Sequence, residues 1–362
     1  MGTGLVVGVA AAGTGLHASE TASAQVSASP THGDISILRL LAAIELIEAD
    51  LWQQYAELGG LTPGQLPVET APFTPMNNYQ AAFMNLDSDG PQYISSNNLD
   101  EQSHAAFLNA YLQAVGAEPV NLDQFRTLPS SQATGAQNIG RLTNLMNLTV
   151  DTCWFTRYHS STNPDFGATF GEAITLANVP AIPRNNDDLA LSNIQAIANI
   201  AAFHFGFIEQ GGASLYATMS QKITSLEVLK IALGIGGDEI CHFLEWVDFA
   251  GNAVQPPVAP IDAANGLPAF PNFDATVNPL LQTNLIFPVP CEFISASLPK
   301  CAVIRPSSPG ELDAEGVVNA FIAGGLFTGQ SQNFLDLLVA MAIEADAAQR
   351  IGSGSQGRSL VR

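Results

Sequence analysis

Two short motifs carry the chemistry of this chain: Glu101-Gln-Ser-His104 and Glu239-Ile-Cys-His242. In each, a carboxylate and an imidazole stand three residues apart, so on a helix both project from one face about one turn apart. Each such helix offers two metal ligands inward. The chain has six His, which makes two coincidences of this kind hard to attribute to composition. The rival reading is a pair of surface ion contacts at i, i+3, worth little to stability.

A dinuclear carboxylate site in a helical bundle needs one Glu from each of two helices and a Glu-x-x-His from each of two others. Glu45 and Glu48 lie inside an otherwise apolar stripe, and Glu209 lies in an almost uncharged segment. A carboxylate in so apolar a helix is costly unless it is paired or coordinates a cation. Glu209 therefore reads as a ligand. Glu45 and Glu48 share a side of their helix. Trp52 follows Glu45 by seven residues as Tyr216 follows Glu209, which favours Glu45 as bridging or terminal ligand; Tyr55 follows Glu48 at the same spacing, and Glu48 stays a close second. One of the two could instead orient an imidazole by hydrogen bond. Oxygen-rich coordination with two imidazoles suits two ions of iron or manganese better than a thiolate-seeking metal, with zinc less favoured.

The other chemically able residues have plainer readings. His204, five residues before Glu209, falls on a different face and reads as a core or hydrogen-bonded histidine. His159 reads as a loop hydrogen-bond donor. Glu245, three residues after His242, is as readily solvated as it is supportive of the site. Trp52, Tyr55 and Tyr216 read first as core aromatics, which near a metal pair could also relay electrons.

The elements that must position these residues follow from periodicity. Ile37, Leu38, Leu41, Ile44, Ile47, Leu51 and Trp52 recur at helical spacing, with Asp34 as the expected cap and Gly59-Gly60 as the stop. A Pro/Gly/Asn-rich connection over 61–97 reads as an insertion, and a second helix is expected from about Leu99 to Val115, stopped by Gly116. Residues 119–188 form a second insertion, where Arg141 to Tyr158 could be helical or extended. A third helix, apolar nearly all round and hence buried, spans Leu191 to about Gln221. The fourth starts after Thr224-Ser225 and runs to about Phe249. Residues 252–352 read as a Pro-rich extension followed by one or two C-terminal helices broken at Gly324-Gly325, packing on the bundle, and 353–362 as a flexible tail.

The whole chain sets bounds on function. A formal charge of -21, with 12 Lys and Arg against 33 Asp and Glu, removes the electrostatic basis for nucleic-acid binding. The run Leu5 to Ala12, followed by small residues at Ala22 and Ala24, reads 1–24 as an export signal with a truncated positive region; its weakly apolar, Gly-rich core suits the twin-arginine route, though no Arg pair is present. No other stretch is apolar enough to span a bilayer. The four Cys form no C-x-x-C pair, which excludes a zinc ribbon. Cys291 and Cys301, flanking a short loop, are the natural disulfide; Cys153 with Cys241 depends on the fold, and buried thiols are the alternative for both.

In chain order, Ile44-Glu45-Leu46-Ile47-Glu48-Ala49-Asp50, Glu101-Gln-Ser-His104, Phe207-Ile-Glu209 to Tyr216 and Gly237-Asp-Glu239-Ile-Cys-His242 resemble the ferritin-like superfamily. They are most similar to its exported, desiccation-related members, over roughly Ile35 to Gly251. The resemblance implies a mainly α chain whose residues 34–251 form a ferritin-like four-helix bundle with long irregular insertions and extra C-terminal helices. Trp52 stands where ferritins have Tyr, and the insertions obstruct cage packing, so a monomer or small oligomer is expected rather than a storage shell. The expected function is an exported di-metal oxidoreductase acting on peroxide, dioxygen or a small substrate. The alternatives are a non-catalytic metal-binding or stress-protective extracellular protein, and a structural bundle whose site holds no metal.

Overall fold

The structure, a computed structural model, describes residues 29–61, 74–159, 171–253, 267, 288–289, 294–303 and 313–351. The described chain is mainly helical: α1 (His32–Gly59), α2 (Asn78–Leu86), α3 (Gly90–Ala114), α4 (Cys153–Tyr158), α5 (Leu191–Ser220), α6 (Leu226–Ala253), α7 (Ala314–Ala323) and α8 (Gln332–Asp346). Two small antiparallel ladders complete it, β1 (Leu148–Val150) with β2 (Leu176–Val179), and β3 (Pro288–Val289) with β4 (Cys301–Ala302). The export signal, Cys291 with its proposed disulfide, most of the Pro-rich extension and the tail lie outside the described residues.

Four long helices make two antiparallel pairs. In the first, α1 lies along α3: the N–H of Leu61, just past the end of α1, donates to Ser95 Oγ near the start of α3 at 2.7 Å, while Arg39 near the start of α1 donates to Glu118 O beyond the end of α3. In the second, α5 lies along α6, with Asn199 near the start of α5 donating to Ala253 O at the end of α6. Each pair turns its apolar side to the other, so Leu41, Ile44, Leu51, Phe203, Phe205, Ile208, Phe243 and Trp246 join one enclosed core. Asp34 ties the pairs together at one end. Its carboxylate accepts from the N–H groups of Thr224 and Ser225 at 2.8 and 3.2 Å, in the turn between α5 and α6. Along α1, α8 adds a further layer, fixed by the Lys222 to Asp346 ion pair at 2.7 Å.

Several boundaries differ from expectation for local reasons. Thr31, not Asp34, caps α1: its hydroxyl accepts from Asp34 N while the Asp34 carboxylate accepts from Thr31 N, a capping box. The second long helix begins at Gly90 rather than Leu99, with Pro91 in its first turn, where a missing N–H costs nothing. Within 61–97, Asn77 caps α2 by accepting from Gln80 N at 2.8 Å, so this connection is not irregular throughout. Gly116 stops α3 at φ +78°, with Ala117 N bonded to Leu112 O and Gly116 N to Gln113 O, the paired bonds of a Schellman turn. Arg141 to Tyr158 is neither one helix nor one strand, since it holds β1 and the short α4. The C-terminal region supplies two helices, separated at Gly324-Gly325 where Gly325 takes φ +79°.

The segment from Asn121 to Asn147 carries little regular structure, and buried polar groups hold it on α1. Asp50 of α1 accepts from Leu142 N, Thr143 N and the Thr143 hydroxyl at 2.7–3.0 Å through one oxygen. Its other oxygen pairs with Arg126 at 2.7 Å. One turn on, Gln54 donates to Thr143 Oγ1 at 2.8 Å, and Glu57 meets Arg141 at 2.5 Å. Backbone that forms no ladder of its own finds partners this way.

Candidate metal centre

Glu45, Glu48, Glu101, His104, Glu209, Glu239 and His242 lie near the middle of the four long helices and converge between the pairs. The five carboxylates are fully buried, and the two imidazoles are 8 % and 5 % exposed. Both Glu-x-x-His motifs fall within continuous helix, so each helix turns Glu and His to the same interior. The imidazole rings face one another with centroids 6.3 Å apart.

Two overlapping groups result. Glu45, Glu101, His104 and Glu239 offer ligand atoms within 4.8 Å of one another, as do Glu101, Glu209, Glu239 and His242. Glu101 and Glu239 belong to both. In the first group, His104 Nδ1 lies 3.3 Å from Glu45 Oε2 and from Glu101 Oε2. In the second, His242 Nδ1 lies 3.2 Å from Glu101 Oε1 and 3.3 Å from Glu209 Oε2. Among the described residues, both oxygens of Glu48 and of Glu239, and one each of Glu45, Glu101 and Glu209, have no hydrogen-bond donor. Buried carboxylate oxygens are ordinarily satisfied, so this many orphans in one place call for a cation.

Two aromatic side chains reach across between the helix pairs to hold glutamates of the site. The indole N–H of Trp52, on α1, donates to Glu209 Oε1 on α5 at 2.8 Å, and the Tyr216 hydroxyl, on α5, donates to Glu45 Oε1 on α1. The aromatic seven residues after each glutamate thus serves the other helix's glutamate. Asn97 adds a long contact to Glu209 at 3.4 Å.

Electrostatics follow from burial. Burial lifts the Glu45 carboxyl to about 8 and Glu209 to about 7, against the pull of His104 and His242 respectively. Burial, with Glu101 close by, also raises Glu48 and Glu239 well above the ordinary carboxylate range. Burial works against the charge of Glu101 too, yet the two imidazoles beside it hold it down at about 2. For the imidazoles, burial favours the neutral form, but Glu101 and Glu45 lift His104 to about 10, and Glu209, Asp100 and Glu101 lift His242 strongly. The direction of these shifts is that of protons balancing the carboxylates when no cation does.

Two residues that immediately precede the motif glutamates escape the sequence reading. Asp238 Oδ2 lies 3.2 Å from His104 Nε2, and Asp100 Oδ2 lies 3.4 Å from His242 Nε2. Each aspartate reaches the histidine of the opposite helix. With Nε2–H donated outward to these aspartates, Nδ1 of each ring faces the carboxylates and is the nitrogen a metal would take once its proton leaves. Their signal is the repeated Asp-Glu-x-x-His of both motifs. Asp100 and Asp238, both half-exposed, form a third group with the buried His242.

The remaining candidates are placed elsewhere. His204 accepts or donates at 2.7 Å with the Tyr55 hydroxyl inside the aromatic core, and burial holds its imidazole down at about 3, as a core histidine should. His159 Nδ1 donates to Phe155 O at 2.8 Å. Glu245 is partly buried, and that burial raises its carboxyl to about 7. No disulfide joins Cys153 to Cys241, and Cys241 is exposed on α6 rather than buried. Among the described residues no helix is long and apolar enough to cross a membrane.

The two groups of acidic and imidazole side chains could therefore hold metal ions. Compared with known proteins, the chain matches no family model, no curated protein and no solved structure.

Proposed function

We propose that the four long helices form a ferritin-like bundle holding a dinuclear iron or manganese centre, and that the protein is an exported oxidoreductase acting on peroxide, dioxygen or a small substrate. The observation that carries this reading is the overlap of two four-residue groups sharing Glu101 and Glu239, all buried and short of donors. Glu101 and Glu239 would be shared by the two positions, with Glu45 and His104 completing one and Glu209 and His242 the other. Such a pair, when bound, supplies reversible redox change and Lewis acidity to an oxygen-containing substrate.

The chain's own residues support that task. Trp52 and Tyr216 hold the free oxygens of the terminal glutamates and so fix which oxygen faces inward. Asp238 and Asp100 hold each imidazole in one tautomer. Beneath them, Trp52 stacks on Trp246 at 5.2 Å and on Phe205 at 4.8 Å, a wall that excludes water. Residues 1–24 are the sole support for export.

Elemental analysis of protein purified without chelator, after growth in iron- or manganese-supplemented medium, tests the centre. The expected result approaches two metals per chain; less than one sinks the dinuclear reading. Peroxide turnover that disappears in His104→Ala and His242→Ala, with helicity kept, supports the oxidoreductase. Metal bound without turnover leaves the metal-binding, stress-protective alternative.

A further inference from the structure

The acidic and imidazole side chains of the two helix pairs repeat each other around the centre, with one exception. Glu45 corresponds to Glu209, and Trp52 to Tyr216, each aromatic seven residues on and each serving the opposite glutamate. On the partner helices Asp100-Glu101 and His104 correspond to Asp238-Glu239 and His242. Glu48, three residues after Glu45, has Gly212 as its counterpart, three residues after Glu209. A Cβ on Gly212 would stand 2.0 Å from Glu239 Oε2 and 3.6 Å from Glu48 Oε1. The glycine therefore leaves free the space into which Glu239 and Glu48 both reach. Glu48 is fully enclosed and, among the described residues, no donor meets either of its oxygens. The charged groups that bear on Glu48 among the described residues are Glu101, Glu45, Glu209 and His242, all members of the two groups, so an ion pair elsewhere does not account for it.

We propose that Glu48 is a fifth carboxylate of the dinuclear centre, a ligand without counterpart in the other helix pair, which makes the two metal positions unequal. The proposal rests on the dinuclear reading above. Four glutamates balance the charge of two divalent ions; a fifth enriches one position in oxygen donors and favours a higher total metal charge. Glu48 enters from α1 beside Gly212 of α5 with both oxygens unmet by a donor among the described residues. A small anion added to the loaded protein would compete with it for a coordination position.

Calorimetric titration of the metal-free full-length chain with Mn²⁺, in wild type, Glu48→Gln and Glu48→Ala, tests this. Wild type is expected to take up two ions in two resolved steps. In both variants the tighter step weakens at least about tenfold and the steps merge, while azide, followed optically on the Co²⁺-loaded protein, binds at least about tenfold tighter to Glu48→Ala than to wild type. Urea unfolding of the metal-free variants guards against misfolding: removing an unsatisfied buried carboxylate leaves stability equal or higher. Two equal Mn²⁺ steps in wild type, or wild-type affinities and azide binding in folded variants, overturn the proposal. Wild-type protein that binds no Mn²⁺ removes the dinuclear reading itself, and this proposal with it.

Discussion

Trp52 of α1 and Glu209 of α5 are joined by a fully buried hydrogen bond of 2.8 Å that spans the two helix pairs. Its acceptor is a carboxylate, so the bond is of the stronger, charge-assisted kind, and Trp52→Phe leaves Glu209 Oε1 with only the 3.4 Å contact from Asn97. The expected cost is about 1.5–3 kcal/mol for the lost bond, with more from the smaller ring. Urea denaturation of the metal-free protein measures it; a change under about 0.5 kcal/mol would mean the bond is unimportant.

In the dinuclear reading, Asp100 and Asp238 are expected to act on the histidines rather than on the metals. Asp238→Ala removes the partner of His104 Nε2, and Asp100→Ala leaves His242 Nε2 with only the 3.8 Å contact to Asp238. Each substitution is expected to weaken metal binding about 10–100-fold with helicity unchanged. Equal affinity in both variants, by competition with a metallochromic chelator, would refute their positioning role.

The metal-free protein should lose stability as pH rises. Glu45 at about 8 and Glu209 at about 7 sit above the ordinary 4.5, so the unfolded chain releases these protons first, and stability falls between the two values. His104 at about 10 sits above the ordinary 6.5; its contribution is complete below 6.5 and is lost towards 10. Glu101 at about 2 runs the other way, contributing above 4.5 and losing that contribution as pH falls towards 2. The metal-free optimum therefore lies near about pH 5, whereas metal affinity grows with pH because the ligands bind deprotonated. Urea midpoints at acid, neutral and alkaline pH, with chelator and with Mn²⁺, should diverge as pH rises; parallel curves would contradict this.

Gly212→Ala puts a methyl where Glu239 Oε2 now stands, 2.0 Å away. Since Ala is the better helix former by about 1 kcal/mol, a purely structural role for this glycine would allow stabilisation. Displacement of a shared ligand predicts instead that the second metal is lost, seen as halved stoichiometry in elemental analysis.

Arg141 and Glu57 are buried together at 2.5 Å, 1 % and 6 % exposed at the side chain. Arg141→Ala leaves a carboxylate enclosed without its cation and should cost about 3–5 kcal/mol. The double variant Arg141→Met, Glu57→Gln should recover much of it. Double-variant stability no better than the single would show that packing, not charge, is what Arg141 provides.

What is legible in the sequence tracks what repeats. α1, α5 and α6 carry apolar residues at helical spacing, and the two Glu-x-x-His motifs by themselves mark the interior face of α3 and α6. The first turns of α3 are hidden because Ser95, Ser96, Asn97 and Asn98 interrupt the apolar pattern, although Ser95 and Asn97 are buried. Residues 119–147 are unreadable for a different reason: Asp50, Gln54 and Arg141 hold them by long-range polar contacts that leave no period. Symmetry in the sequence pairs each glutamate with its own aromatic, whereas the fold exchanges them, since seven residues carry the aromatic two turns along its helix to the opposite glutamate.

The sharing of Glu101 and Glu239 between the two groups bears on how the chain assembles. α5 and α6 are joined by a tight turn and can meet early, as contacts close in sequence do. That hairpin owns Glu209, Glu239 and His242 but lacks Glu101; the α1 and α3 pair owns Glu45, Glu101 and His104 but lacks Glu239. Neither half holds all four residues of either group. If the centre binds metal as proposed, tight uptake has to wait until both halves have docked, and a seated ion would lace one half to the other, so that dissociating the hairpins and releasing the ion become the same event.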